Sequence, residues 1–223
     1  QDVQSVADEF GLNPLNKTLT SIRTFASQNQ YLDVAVLGQF KSGKSTFLNS
    51  LIGRPLLPVG SIPVTSVITR IRYGPKEQAT VTFEDGTCQQ IGIADMNSYV
   101  SESGNPENIK GVLLVDIETP ALGRFKNLRL VDTPGIGSVW KHNTETTASW
   151  FPETGGVLFL FSAERPISEN EVELLKEIYQ YTPEITIVLT KVDLFSEEKI
   201  REIELFTAKV LRKTFDQDFP ILR

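Results

Sequence analysis

A chain of 223 residues with 40% hydrophobic content can bury one sizeable core, and a single α/β domain is the expectation. Its 28 acidic side chains outnumber 22 basic ones for a formal net charge of -6, which argues against a broad electrostatic footprint for nucleic acid or anionic lipid. A lone Cys88 excludes an internal disulfide, no Cys/His cluster has zinc spacing, and neither a charged-then-apolar leader nor an apolar run of spanning length occurs, so a cytoplasmic, reducing setting is expected.

In chain order, Leu15, Leu19, Ile22 and Phe25 recur at helical spacing, which predicts an amphipathic N-terminal helix near residues 14–28, within a segment 1–30 that precedes the main domain. Its apolar face requires a partner, either the domain itself or a helical region outside this chain. The apolar run 32–37 reads as a strand, and residues 67–73 and 79–84 as two more, with turns at Gly74-Pro75 and Asp85-Gly86 that predict a hairpin or meander. A short helix over 94–100, a polar loop over 101–108 and strands over 112–118 and 128–131 follow. From there strands at 156–161 and 185–190 alternate with helices at 168–180 and 196–215, and the final FPILR reads as a strand beginning. Such alternation predicts a doubly wound, mostly parallel sheet with ligands beyond the carboxyl ends of its strands. A chain that opens on Gln1 and stops in a nascent strand reads as part of a longer protein.

Three motifs carry the chemistry. Gly38-Gln39-Phe40-Lys41-Ser42-Gly43-Lys44-Ser45 follows the first strand directly and opens a helix, the context of a phosphate-binding loop. Backbone N–H groups across 39–46, from Gln39 to Thr46, are then the candidate phosphate cradle, Lys44 reaches the outer phosphates, and Ser45 is placed to hold Mg²⁺. Asp132-Thr133-Pro134-Gly135 ends a buried-type strand, where the carboxylate can serve the Mg²⁺ shell and the Gly135 N–H the γ-phosphate. Thr190-Lys191-Val192-Asp193 ends another strand and matches the [N/T]KxD element by which P-loop GTPases read guanine. Asp193 would accept from guanine N1–H and its exocyclic amine, Lys191 would lie along the purine, and Thr190 would brace the loop. Between the first two motifs, LPVGSIPVTS over 57–66 occupies the place of a switch segment. Thr65 is the chosen Mg²⁺-ligating hydroxyl there, with Ser61, Ser66 and Thr69 nearby.

GQFKSGKSTFLNSLIG, LLPVGSIPVTSVITRIRYG, DTPGIGS and TKVD together resemble the GTPase domain of dynamin-like proteins, the bacterial ones especially, over nearly the whole chain. The resemblance implies a P-loop GTPase fold over 31–223 whose sheet is extended by inserted strands, ending before its last guanine-binding loop. It implies hydrolysis of GTP to GDP, a homodimer through the nucleotide face, and membrane remodelling through a helical stalk outside this chain. The full-length protein would then be cytoplasmic and peripherally membrane-associated, with no nucleic-acid partner.

Two positions depart from better-known relatives. Ile136 stands where Ras-type GTPases place the glutamine that orients water, and an apolar side chain cannot do that. Phe40 and Lys41 stand where eukaryotic dynamins supply glutamine and serine, with Gln39 one position too early. Lys41 does occupy the position of the arginine of guanylate-binding relatives, so it is a candidate built-in catalytic cation beside Thr65 and Gly135, against the alternative of a solvated loop lysine. An Era-like ribosome- or tRNA-associated GTPase and a GTP-binding scaffold with little turnover are the rival functions. His142 reads as an exposed switch residue, Trp140 and Trp150 as local packing, and Glu169, Glu171 and Glu173 with Lys176 and Glu177 as a solvated helix face.

Overall fold

The computed structural model describes residues 31–39, 41–57, 59, 67–132, 155–182 and 184–223. The predicted N-terminal helix and Phe40, Thr65, Gly135, Ile136, Trp140, His142 and Trp150 lie outside them.

Strand β1 (Leu32–Gly38) is apolar on both sides: Ala35, Val36 and Leu37 are all buried, as a strand covered on both faces requires. It sits inside a nine-stranded sheet of order β4-β3-β5-β2-β6-β1-β7-β8-β9. The remaining strands are β2 (Ile68–Tyr73), β3 (Gln78–Phe83), β4 (Cys88–Ile91), β5 (Val112–Thr119), β6 (Leu128–Asp132), β7 (Gly156–Ser162), β8 (Ile185–Thr190) and β9 (Ile221–Leu222). Among the described residues four α-helices accompany them: α1 (Lys44–Ile52), α2 (Asn97–Val100), α3 (Glu169–Tyr179) and α4 (Glu197–Phe215).

Helices cover both faces. One core gathers Val36, Leu48 and Ile52 of α1 with Ile71, Val115, Ile117 and Leu160. The other gathers Ala35, Leu37, Phe159 and Phe161 with Leu175 and Ile178 of α3 and Ile200, Ile203 and Leu211 of α4. This is the doubly wound arrangement expected from the alternation of elements. β1, β7, β8 and β9 run parallel to their neighbours in this half, so Gly38, Ser162 and Thr190 come to the same end of the sheet.

The inserted half is mixed, and here one expectation is corrected. The turn at Gly74-Pro75 closes no hairpin, because β5 lies between β2 and β3, parallel to the first (Arg70 opposite Asp116) and antiparallel to the second (Thr80 opposite Asp116). The connection passes over the end of β5 instead: the Gly74 N–H donates to the Thr119 carbonyl at 3.3 Å, and a Cβ on Gly74 would sit 2.6 Å from the Glu118 side chain. The hairpin forms one turn later, where Thr87 donates to the Asp85 carboxylate and Gly86 takes φ 81°, returning the chain as β4. The expected helix over 94–100 is split into a 3₁₀ turn (Ile93–Asp95) and α2. Among the described residues, no helix is long and apolar enough to cross a membrane.

Candidate functional site

The loop between β1 and α1 is shaped by two glycines. A Cβ on Gly38 would lie 2.4 Å from the Leu160 carbonyl oxygen of β7 and 2.5 Å from the Ser42 hydroxyl, so only glycine fits where the strand ends. Gly43 has φ 88° and caps the N-terminus of α1 in a left-handed conformation that disfavours any side chain. Between them the chain turns back, with the Ser42 N–H donating to the Gln39 carbonyl at 3.1 Å and Lys41 at φ 65°. The first turn of α1 begins at this loop, and a helix leaves the N–H groups of its first turn without intrahelical partners.

Lys44, Ser45 and Thr46 form the first turn of α1. The buried Lys44 ammonium donates to the Gly38 and Gln39 carbonyls at 2.9 and 3.2 Å. Burial lowers its pKa, and the nearby Asp132 carboxylate opposes part of that shift. Asp132 ends β6 and is 0% exposed. Desolvation pushes its pKa up to about 6, while Lys44 and the adjacent Ser45 hydroxyl pull the other way. Neither of its oxygens has a hydrogen-bond partner among the described residues, although the Ser45 hydroxyl is near enough to act on its titration. The Ser42 hydroxyl is buried and unpaired in the same region. An orphaned buried carboxylate next to a hydroxyl, at the N-terminus of a helix, is a hard-oxygen donor set suited to Mg²⁺ shared with phosphate oxygens. Among the described residues no three His, Cys, Asp or Glu side chains gather to hold a metal alone.

The third motif meets the first directly. Thr190 Oγ1 lies 2.6 Å from the Ser42 carbonyl and 3.1 Å from that of Phe161, tying the end of β8 to the phosphate loop. Lys191 takes φ 57° and its ammonium pairs with Glu164 at the end of β7. The Glu164 carboxyl is held below the usual range by Lys191 first, then by Ser162 at 2.8 Å, with a smaller contribution from Lys41. Asp193 projects from the 3₁₀ turn Val192–Leu194, exposed and with no hydrogen bond from a described residue. Thus Gln39, Lys41, Ser42, Gly43, Lys44, Ser45, Thr46, Asp132, Thr190, Lys191 and Asp193 all lie at the carboxyl-terminal end of β1, β6 and β8. Phe40, Thr65 and Gly135 lie outside the described residues.

Several residues were missed by pattern reading. Asn49 of α1 accepts from Leu56 N and Leu57 N at 2.9 and 2.7 Å and donates to the Leu57 carbonyl at 2.8 Å, which fixes the entry to the proposed switch segment. Glu171 is not on a solvated face. It is 1% exposed, closes a capping box with Ser168 at the start of α3 and pairs with Arg165. The S-x-x-E spacing of Ser168 and Glu171 was the available signal.

Comparison with known proteins follows the same outline. The sequence model described as the Dynamin family matches residues 34–192. An uncharacterized protein in the xynA 3' region of a Caldicellulosiruptor species is 38% identical over 212 residues, 95% of this chain and 52% of that protein. Dynamin-like protein 2 of Campylobacter jejuni is 29% identical, with 86% of this chain and 31% of that protein covered. A solved structure described as an oligomerised bacterial dynamin pair, with a mechanism for long-range sensing and tethering of membranes, superimposes with a TM-score of 0.66 over 93% of this chain and 33% of that one at 20% identity. The chain therefore spans about half the length of one of these relatives and about a third of the other two.

Proposed function

This chain belongs to the dynamin family and carries its GTPase domain, and from that membership we propose that it binds GTP with Mg²⁺ and hydrolyses it to GDP and phosphate. The observation that carries the reading is the buried, unpaired Asp132 carboxylate beside Ser45 and Lys44 where the phosphate loop opens α1. Backbone N–H groups of 39–46 would receive the phosphates, Lys44 turning from its loop carbonyls to the outer ones. Ser45, Asp132 and Thr65 would hold Mg²⁺. When bound, Mg²⁺ neutralises charge on the β- and γ-phosphate oxygens. Gly135 would donate its N–H to the γ-phosphate. Thr190, Lys191 and Asp193 would read guanine, and Lys41 would add a positive charge near the bond that breaks.

We further propose the division into 1–30, an N-terminal amphipathic helical segment, and 31–223, the dynamin-type GTPase domain. For the whole protein we propose a homodimer across the nucleotide face and a cytoplasmic, peripheral role in membrane remodelling, carried by regions outside this chain. Phosphate release from GTP tests the reading. Wild-type protein turns over, with specific activity rising with protein concentration, and Lys44→Ala abolishes turnover. Absence of turnover at every concentration contradicts the assignment, and a flat concentration profile removes activation by dimerisation.

A further inference from the structure

We propose that Arg165 is a positioning residue for the phosphate loop, holding the Gln39 side chain against the N-terminus of α3 and thereby fixing the conformation from which Lys41 and Lys44 act. The inference rests on the reading of the site as a GTPase centre. Arg165 lies in the connection between β7 and α3, with its side chain half exposed. Its Nη1 and Nη2 donate to the two Glu171 oxygens at 2.8 and 3.1 Å, and the second N–H of Nη2 donates to Gln39 Oε1 at 2.9 Å. One planar fork therefore serves a carboxylate and a loop amide at once, which a lysine ammonium cannot reproduce.

The anchor behind this fork is rigid. Glu171 is buried and also accepts from Ser168 N and Ser168 Oγ, both at 2.8 Å, so its carboxylate is part of the helix cap. The residue in front of it is the node of the phosphate loop. The Gln39 carbonyl accepts from Ser42 N at 3.1 Å and from Lys44 Nζ at 3.2 Å, and Lys41 holds a left-handed φ of 65° that a non-glycine residue leaves readily. A tether on Gln39 opposes that relaxation. The same connection carries Glu164, paired with Lys191 of the guanine-reading loop, so one short segment touches both ends of the site. Because the Arg165 to Gln39 bond is exposed, its loss costs the fold little. Its effect belongs in the chemistry.

Single-turnover GTP hydrolysis and GTP affinity on the full chain, at one fixed protein concentration, test this. Arg165→Ala and Gln39→Ala are each expected to lower the hydrolysis rate about tenfold with GTP affinity within about threefold, and the double variant to be no slower than either single. Arg165→Lys should fall between. A rate near wild type in Gln39→Ala, or rate losses that multiply in the double variant, overturns the proposal, and Gln39→Ala carries the test even if Arg165→Ala fails to fold. A wild-type chain without GTP hydrolysis overturns the GTPase reading and this inference with it. Active wild type with unaffected variants overturns the inference alone.

Discussion

Asp132 shows how burial shapes a single residue of the site. Its carboxyl titrates at about 6 in the folded chain because it is fully buried, against an ordinary value of 3.8. The folded state therefore holds this proton more tightly than the unfolded chain does. Stability of the nucleotide-free protein should fall as pH rises from about 4 to about 6, by roughly 3 kcal/mol in all, and level off above. Denaturant unfolding across that range checks the slope, and Asp132→Asn should remove it. Lys41 makes a different claim. It sits in the loop at φ 65°, close enough to Glu164 to affect its carboxyl. If its ammonium supplies the catalytic charge, turnover is indifferent to exchanging K⁺ for Na⁺, and Lys41→Ala lowers kcat about 10²-fold with little change in GTP affinity. A K⁺ requirement in wild type, or normal kcat in the variant, assigns Lys41 to solvent instead.

The phosphate loop depends on how closely its flanking elements approach. Gly38 ends β1 against β7, and a Cβ there would stand 2.4 Å from a backbone oxygen that cannot move without breaking the strand pairing. Gly38→Ala should cost about 2–4 kcal/mol in stability and remove nucleotide binding, measurable by thermal unfolding and titration. At this scale much was legible. Runs such as VLFLF and ITIVL announce buried strands by themselves, and glycines and Ser-x-x-Glu mark where loops and helices begin. Strand order was not legible, because the turn at Gly74-Pro75 looks the same whether β3 pairs with β2 or crosses β5 to its far side. β4 was missed because Cys88, Gln89 and Gln90 are exposed at the sheet edge and carry no apolar alternation. Glu171 was overlooked although its Ser168-x-x-Glu171 spacing signalled a cap: a carboxylate in a charged helix reads as solvated, and the arginine that folds over it lies six positions earlier.

The candidate site lies at one end of a sheet whose strand β1 is covered on both faces. The three motifs lie far apart in sequence, and the parallel register of β1, β7 and β8 brings two of them into contact through Thr190 and Ser42. Order and spacing of motifs were sufficient to anticipate this, since a parallel α/β sheet delivers the carboxyl ends of its strands to one crevice. The clamp of Arg165 on Gln39 was beyond anticipation, because it joins positions 126 apart without a motif of its own. The central claim is that this crevice binds GTP and selects its base through Asp193. Calorimetric titration of the Mg²⁺-containing protein with GTP and with ATP tests it most directly, alongside Asp193→Asn. The account predicts that GTP binds at least about 10²-fold more tightly than ATP and that Asp193→Asn weakens GTP and erases most of that preference, since adenine leaves the carboxylate without its two donors. ATP binding within tenfold of GTP in the wild-type protein would contradict it.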